Sequence, residues 1–221
     1  MAEARARRRV AVLISGRGSN LEALIAACAA PDARAEIALV ISNEPAAAGL
    51  VHAQTAGIPA EVVDHRRHAD RQRFSDAIHA ALENHAIETA CLAGFMRILS
   101  ADLVERWRDR LLNIHPSLLP AFRGLDSHRR ALAAGVRFHG CTVHFVRAEV
   151  DAGPIIVQGA LPVRQDDTAE SLAARVLALE HRCYAQALDL VARGRVRVVD
   201  ERVLIDGAGP PELTLINPGP T

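Results

Sequence analysis

The chain has 221 residues, half of them hydrophobic, and lysine plus arginine (26) balances aspartate plus glutamate (26). That length fits one large α/β domain with ample material for a core, and zero net charge removes the general electrostatic pull toward duplex nucleic acid or an anionic membrane surface. Aromatic residues make up only 3%, so alanine, leucine and valine must do the packing, and stacking platforms for single-stranded nucleic acid are not expected.

Val10 to Ile14 is a continuous apolar run that ends at Ser15-Gly16-Arg17-Gly18-Ser19-Asn20, and Leu21 to Ala30 then carries apolar residues at helical spacing. The opening therefore reads as strand, glycine loop, helix. The alternation recurs: Ile37 to Ile41 with a helix from about Pro45 to Ala56, Ala60 to Val63 with a helix from about Asp70 to Glu83, and Thr89 to Ala93 with a helix from about Ala101 to Arg106. Such alternation with short connections predicts a mostly parallel α/β sheet covered by helices. Continuous apolar strands fit burial on both faces. After His115, Cys141 to Val146 and Ile155 to Val163 flank a Gly153-Pro154 turn, which suggests an antiparallel extension. A long helix over about Thr168 to Ala192 follows, and Val196 to Val199 with Val203 to Ile205 can form a closing hairpin. Residues 8–206 thus read as one domain and 207–221, rich in glycine and proline, as a loose tail.

Cys28, Cys91, Cys141 and Cys183 form no C-x-x-C pair and show no zinc-like spacing with histidine. A reducing cytoplasm is the matching compartment, and no metal is expected. Met1 to Arg9 lacks the apolar stretch of a signal peptide, and no apolar run reaches the roughly 20 residues that span a bilayer.

The glycine loop can hold an anion. Gly16 and Gly18 permit tight backbone conformations, and the unpaired amides at the start of the next helix carry partial positive charge. The third glycine of a dinucleotide fingerprint and the Gly-Lys-Ser/Thr of a P-loop are both missing. This points to a monophosphate cradle at Gly18, Ser19 and Asn20; a plain glycine turn with Ser19 as N-cap is the alternative.

In the extended segment Leu112-Asn113-Ile114-His115-Pro116, side chains two apart share a face, so Asn113 and His115 address one substrate while Ile114 packs away. Pro116 ends the strand and leaves the imidazole at the mouth of a loop. Transfer of an acyl or formyl group to an amine passes through a tetrahedral intermediate, which needs an oxyanion donor and a proton source. Asn113 can supply the amide N–H, His115 the acid, and Asp151 the carboxylate that orients the histidine and supports its charge. No covalent nucleophile is evident, since Cys91, Cys141 and Cys183 read as core residues. Taken singly, Asn113, His115 and Asp151 also fit ordinary turn and loop positions; the combination carries the inference. His65 and His68 lie among arginines, His144 alternates within a strand, and His139 can face the site.

Five segments in order, Ile14-Ser-Gly-Arg-Gly-Ser-Asn-Leu21, Leu92-Ala-Gly-Phe-Met-Arg-Ile-Leu-Ser100, Asn113-Ile-His-Pro-Ser-Leu-Leu-Pro120, His139-Gly-Cys-Thr-Val-His-Phe-Val146 and Val150-Asp-Ala-Gly-Pro-Ile-Ile-Val-Gln158, resemble the signatures of the folate-dependent phosphoribosylglycinamide formyltransferases. The resemblance runs from about Val10 to Val199. It implies a Rossmann-like formyltransferase fold with helices on both sheet faces, and formyl transfer from 10-formyltetrahydrofolate to the amine of phosphoribosylglycinamide, a step of de novo purine (IMP) biosynthesis. Small molecules are then the partners, with neither nucleic acid nor membrane, and the enzyme is a monomer or homodimer. By motif, Asn113, His115 and Asp151 are the catalytic trio, Gly18, Ser19 and Asn20 hold the substrate phosphate, and Met96, Arg97, Ile98 and Leu99, with Asn113, line the folate pocket largely through backbone groups. Arg71 falls near the folate and Glu180 at a substrate contact; each also fits a solvated helix charge. Asp126 departs from the pattern, since many members carry histidine there.

Two related activities share part of this pattern. Formyltetrahydrofolate hydrolase uses water in place of the amine and carries an added N-terminal domain, whereas the first strand here starts at about Arg9. Methionyl-tRNA formyltransferase needs a further C-terminal domain and a basic surface. A non-catalytic phosphate-binding module would keep the Ser15 to Asn20 loop but has no use for the trio.

Overall fold

The computed structural model describes residues 6–207, 209 and 214–218. The chain forms β1 (Arg8–Ile14), α1 (Ser19–Cys28), β2 (Ala35–Ser42), α2 (Leu50–Thr55), β3 (Ala60–Val62), a 3-10 turn (His65–Arg67), α3 (Arg71–Asn84), β4 (Thr89–Leu92), α4 (Ala101–Arg106) and β5 (Leu111–His115). It continues with α5 (Ser127–Ala133), β6 (Phe138–Phe145), β7 (Ile155–Pro162), α6 (Ala169–Ala192), β8 (Val196–Val199) and β9 (Arg202–Ile205). Seven strands make one sheet in the order β3-β2-β1-β4-β5-β6-β7, and β8 pairs β9 in a separate antiparallel ribbon. The strands from β3 across to β5 are parallel, and β6 and β7 are each antiparallel to the strand before them. The α/β reading with an antiparallel extension therefore holds.

The chain steps outward from β1 to β3 and then returns to the other side of β1 with β4. The connections leaving β1 and β4 diverge at that switch, and a crevice opens at the carboxyl ends of the strands. The site lies there.

Alternate residues of β1 explain its unbroken apolar run. Val10, Val12 and Ile14 join the core under α1 and α6, while Ala11 and Leu13 join the core under α3 and α4, all without exposure. The valine, leucine and isoleucine side chains among them contribute about 1.5–3 kcal/mol each when fully buried. The four cysteines are buried and free. Asp70, Ser100 and Thr168 cap α3, α4 and α6, each accepting a hydrogen bond from the amide three residues on. The Tyr184 hydroxyl, carried on α6, lies 3.1 Å from both Leu92 O, in the last residue of β4, and Leu112 O, in the second of β5.

Three expectations need correction. The helix expected from Pro45 begins only at Leu50, because Glu44 to Gly49 forms turns in which Ala47 N–H bonds Glu44 O and Leu50 N–H bonds Ala47 O. α5 was not anticipated. Ser19 is not an N-cap: Gly18 holds that position in the left-handed region, with no side-chain cap. Of the loose tail expected at 207–221, residues 208, 210–213 and 219–221 lie outside the described residues. Among the described residues, no helix is long and apolar enough to cross a membrane.

Candidate active site

The glycine loop follows β1 and is shaped by a close approach. Gly18 has φ +78°, and a Cβ there would lie 2.6 Å from the Cα of Gly49, just ahead of α2. Only glycine fits this contact without moving backbone. The first bond of α1 runs from Glu22 N–H to Gly18 O at 2.9 Å. The amides of Ser19, Asn20 and Leu21 therefore have no backbone acceptor among the described residues and face outward from the helix start. Asn20 Nδ2 donates to Glu180 Oε2 at 2.8 Å, so α6 reaches the same corner. Both side chains are buried, and among the described residues Asn20 Oδ1 has no hydrogen-bond partner. Burial pushes the Glu180 carboxyl above its usual range, and the bond from Asn20 only partly offsets it.

At the end of β5, His115 Nδ1 lies 3.2 Å from Asp151 Oδ2, with both side chains under 10% exposed. His115 Nε2 lies 3.0 Å from the carbonyl of Phe122. Both ring nitrogens face acceptors, and only a ring protonated on both satisfies the two contacts. Asp151 Oδ2 also accepts from Gly124 N–H at 2.8 Å, which ties the Pro120 to Asp126 loop across the imidazole. The loop carrying Asp151 is tight: a Cβ on Gly153 would lie 1.8 Å from Phe145 O.

Asn113 pairs in register with His144 of β6, and its Nδ2 lies 3.2 Å from His144 Nε2. His144 is 2% exposed, its Nδ1 donates to Phe145 O at 2.9 Å, and burial lowers its basicity. A neutral ring protonated on Nδ1 therefore accepts from Asn113 on Nε2. Beside this cluster, the His139 ring lies 6.0 Å from Phe122 and 5.3 Å from His128. Burial takes His139 down to about 4 and also lowers His128.

The residues expected at a folate lie on the turn after β4. Met96 and Ile98 are 64% and 56% exposed, Leu99 is buried, and the Arg97 guanidinium contacts the His65 imidazole. Arg71 opens α3, exposed, and its side chain makes no hydrogen bond or ion pair among the described residues. The structure thus joins His115 to Asp151 directly, links Asn113 to the same carboxylate through His144, whose Nε2 lies 3.8 Å from Asp151 Oδ1, and pairs Asn20 with Glu180. It leaves Arg71 in contact with none of them.

Residues 8–188 match the formyl transferase family. The phosphoribosylglycinamide formyltransferase of Haemophilus influenzae is 40% identical over 93% of this chain and 97% of its own. The chain belongs to the phosphoribosylglycinamide formyltransferase family. A crystal structure of glycinamide ribonucleotide transformylase 1 from Symbiobacterium toebii superposes on this chain with a TM-score of 0.88, at 45% identity, covering 90% of this chain and 94% of that one. The trifunctional purine biosynthetic protein adenosine-3 of Gallus gallus is 54% identical over 86% of this chain, and the match spans only 19% of that longer relative. Within this family member, the residue that sequence reasoning missed is His144. Its signal was present, since it stands in a β-rich run otherwise filled by apolar and small residues, but its partner is set by cross-strand register.

Proposed function

We propose that residues 8–206 act as one cytoplasmic formyltransferase domain that moves the formyl group of 10-formyltetrahydrofolate to the amine of 5'-phosphoribosylglycinamide, giving 5'-phosphoribosyl-N-formylglycinamide and tetrahydrofolate in de novo purine synthesis. The observation that carries this reading is the joined set Asn113, His144, His115 and Asp151 at the end of β5, two strands along the sheet from β1, which the glycine loop follows. The amides of Gly18, Ser19 and Asn20 hold the substrate phosphate, and Glu180 meets the same substrate. Met96, Arg97, Ile98 and Leu99 surround the folate, with Arg71 toward its outer end.

The amine lone pair attacks the formyl carbon and gives a tetrahedral intermediate. Its oxyanion takes the Asn113 N–H that His144 does not hold, and a bond from His115. The carbon–nitrogen bond to the folate then breaks as the imidazolium gives its Nε2 proton to the departing nitrogen; the nitrogen that attacked passes its extra proton to the bared Nε2, which restores the imidazolium, and the formyl amide forms. Phe122 O occupies His115 Nε2 in this structure, so the substrate must take its place. Asp151 supports the charge on the ring while both nitrogens carry protons.

The test is release of tetrahydrofolate from 10-formyltetrahydrofolate with and without phosphoribosylglycinamide. Release that depends on the amine is expected. Equal release with water alone would overturn the reading in favour of formyltetrahydrofolate hydrolase.

A further inference from the structure

The turn that follows β4 has few anchors. The Ala93 amide donates to Leu13 O at 2.8 Å and the Ser100 amide to Ser75 Oγ at 2.9 Å. Between them, among the described residues, only one backbone N–H finds an acceptor in the chain: Met96 N–H donates to Ser15 Oγ at 2.8 Å. Phe95 stacks on Phe74 and Leu99 is buried below, but Met96 and Ile98 stand in solvent. Packing therefore fixes the root of the turn, and its outer part is held by this one backbone hydrogen bond and by the Arg97 side chain on the His65 imidazole.

Ser15 is the first residue after β1 and leads into the phosphate loop. A backbone N–H can only donate, so the serine oxygen accepts from Met96 and sends its own proton on, to Asn43 Oδ1 at 2.5 Å. Asn43 follows β2, is 2% exposed, and bonds Ile14 O through its own N–H at 3.4 Å. Its Nδ2 points the other way, 3.4 Å from Glu44 Oε1 and 3.2 Å from His65 Nδ1, which fixes the carboxamide with its oxygen toward Ser15. The carboxyl ends of β1, β2 and β4 are thus joined by side chains at one point.

We propose that Ser15, oriented by Asn43, is a positioning residue that sets the height of the folate-side turn against the phosphate loop. It touches neither the reacting carbon nor the trio. Its effect reaches the folate through the Met96 amide, and the inference rests on assigning the Met96 to Leu99 turn to the folate.

Steady-state kinetics on the full chain test it, with both substrates varied in turn. Ser15→Ala and Asn43→Leu are expected to raise KM for 10-formyltetrahydrofolate about tenfold, since each leaves a donor of the chain unsatisfied. KM for phosphoribosylglycinamide stays within about twofold and kcat within about threefold of the parent, and Ser15→Thr, which keeps the hydroxyl, restores the folate KM. Ile98→Asp separates the two layers of the argument. If it leaves the folate KM unchanged, the turn is not the folate site, and the proposal falls with that assignment. If it raises the folate KM while Ser15→Ala does not, the folate reading stands and the positioning role is overturned. An equal rise in both KM values for Ser15→Ala overturns the role as well, because it marks a general disturbance of the loop.

Discussion

Asn113 and His144 face each other across the β5–β6 pair, with the amide nitrogen of one 3.2 Å from Nε2 of the other. The His144 ring, fixed by its bond to Phe145 O, decides which end of the Asn113 carboxamide points toward a bound substrate. Without it the amide can turn its oxygen toward the developing oxyanion. His144→Leu is expected to lower kcat about 10–100-fold with both KM values within about threefold, the pattern of a donor needed mainly in the transition state. Retention of full kcat would remove His144 from the mechanism.

The contact between His115 and Asp151 calls for a sharper loss. Asp151→Asn keeps an acceptor for the Gly124 amide but removes the negative charge beside the imidazole. A fall in kcat of about 10²–10⁴ is expected, measured against unchanged far-UV circular dichroism. A loss under tenfold would show that the proton donor works without the carboxylate.

His139 makes stability fall in acid. It is 1% exposed, and burial holds it near 4 against an unfolded value of about 6.5. The unfolded chain gains this proton first, so stability drops as pH falls from about 6.5 to about 4 and no further below that. Urea titrations across this window are expected to give a slope that His139→Gln reduces. An unchanged slope in the variant would assign the loss to other groups.

Glu180 works in the opposite sense. Burial raises its carboxyl, so the charged form is costly in the fold above that raised value, and the cost disappears as pH falls through it. Glu180→Gln keeps an oxygen for Asn20 Nδ2 and removes the buried charge. At pH 7 its Tm is expected to rise by about 2–4 °C, the shift that about 1 kcal/mol produces in a chain of this size, while KM for phosphoribosylglycinamide increases. The difference in Tm from the parent should narrow toward acid pH. A Tm below the parent at pH 7 would mean that the carboxylate is stabilised by more than the bond from Asn20.

The strands and capped helices were legible because their signals are local. An unbroken apolar run marks β1, and Asp70, Ser100 and Thr168 mark helix starts within three residues of the bonds they make. α5 offered no such mark: it has seven residues, and Asp126 ahead of it sits at φ +57° with no side-chain cap. The late start of α2 follows from the turns over Glu44 to Gly49, which seat Gly49 against Gly18 in the loop after the neighbouring strand, a contact that neither segment announces alone. The trio was readable as a set of residue types, whereas the place of His144 depended on register between residues 31 apart.

Tyr184 gives the site a common datum. Its hydroxyl spans the carbonyls of Leu92 and Leu112, immediately before the folate-side turn and immediately before Asn113, and Glu180 lies one turn earlier on the same helix. A single rod thereby gauges three walls of the crevice at once. A sideways slip of α6 would carry the Asn20 contact, the turn and the catalytic strand out of alignment together, so tolerance at this helix is set by the tightest of the three.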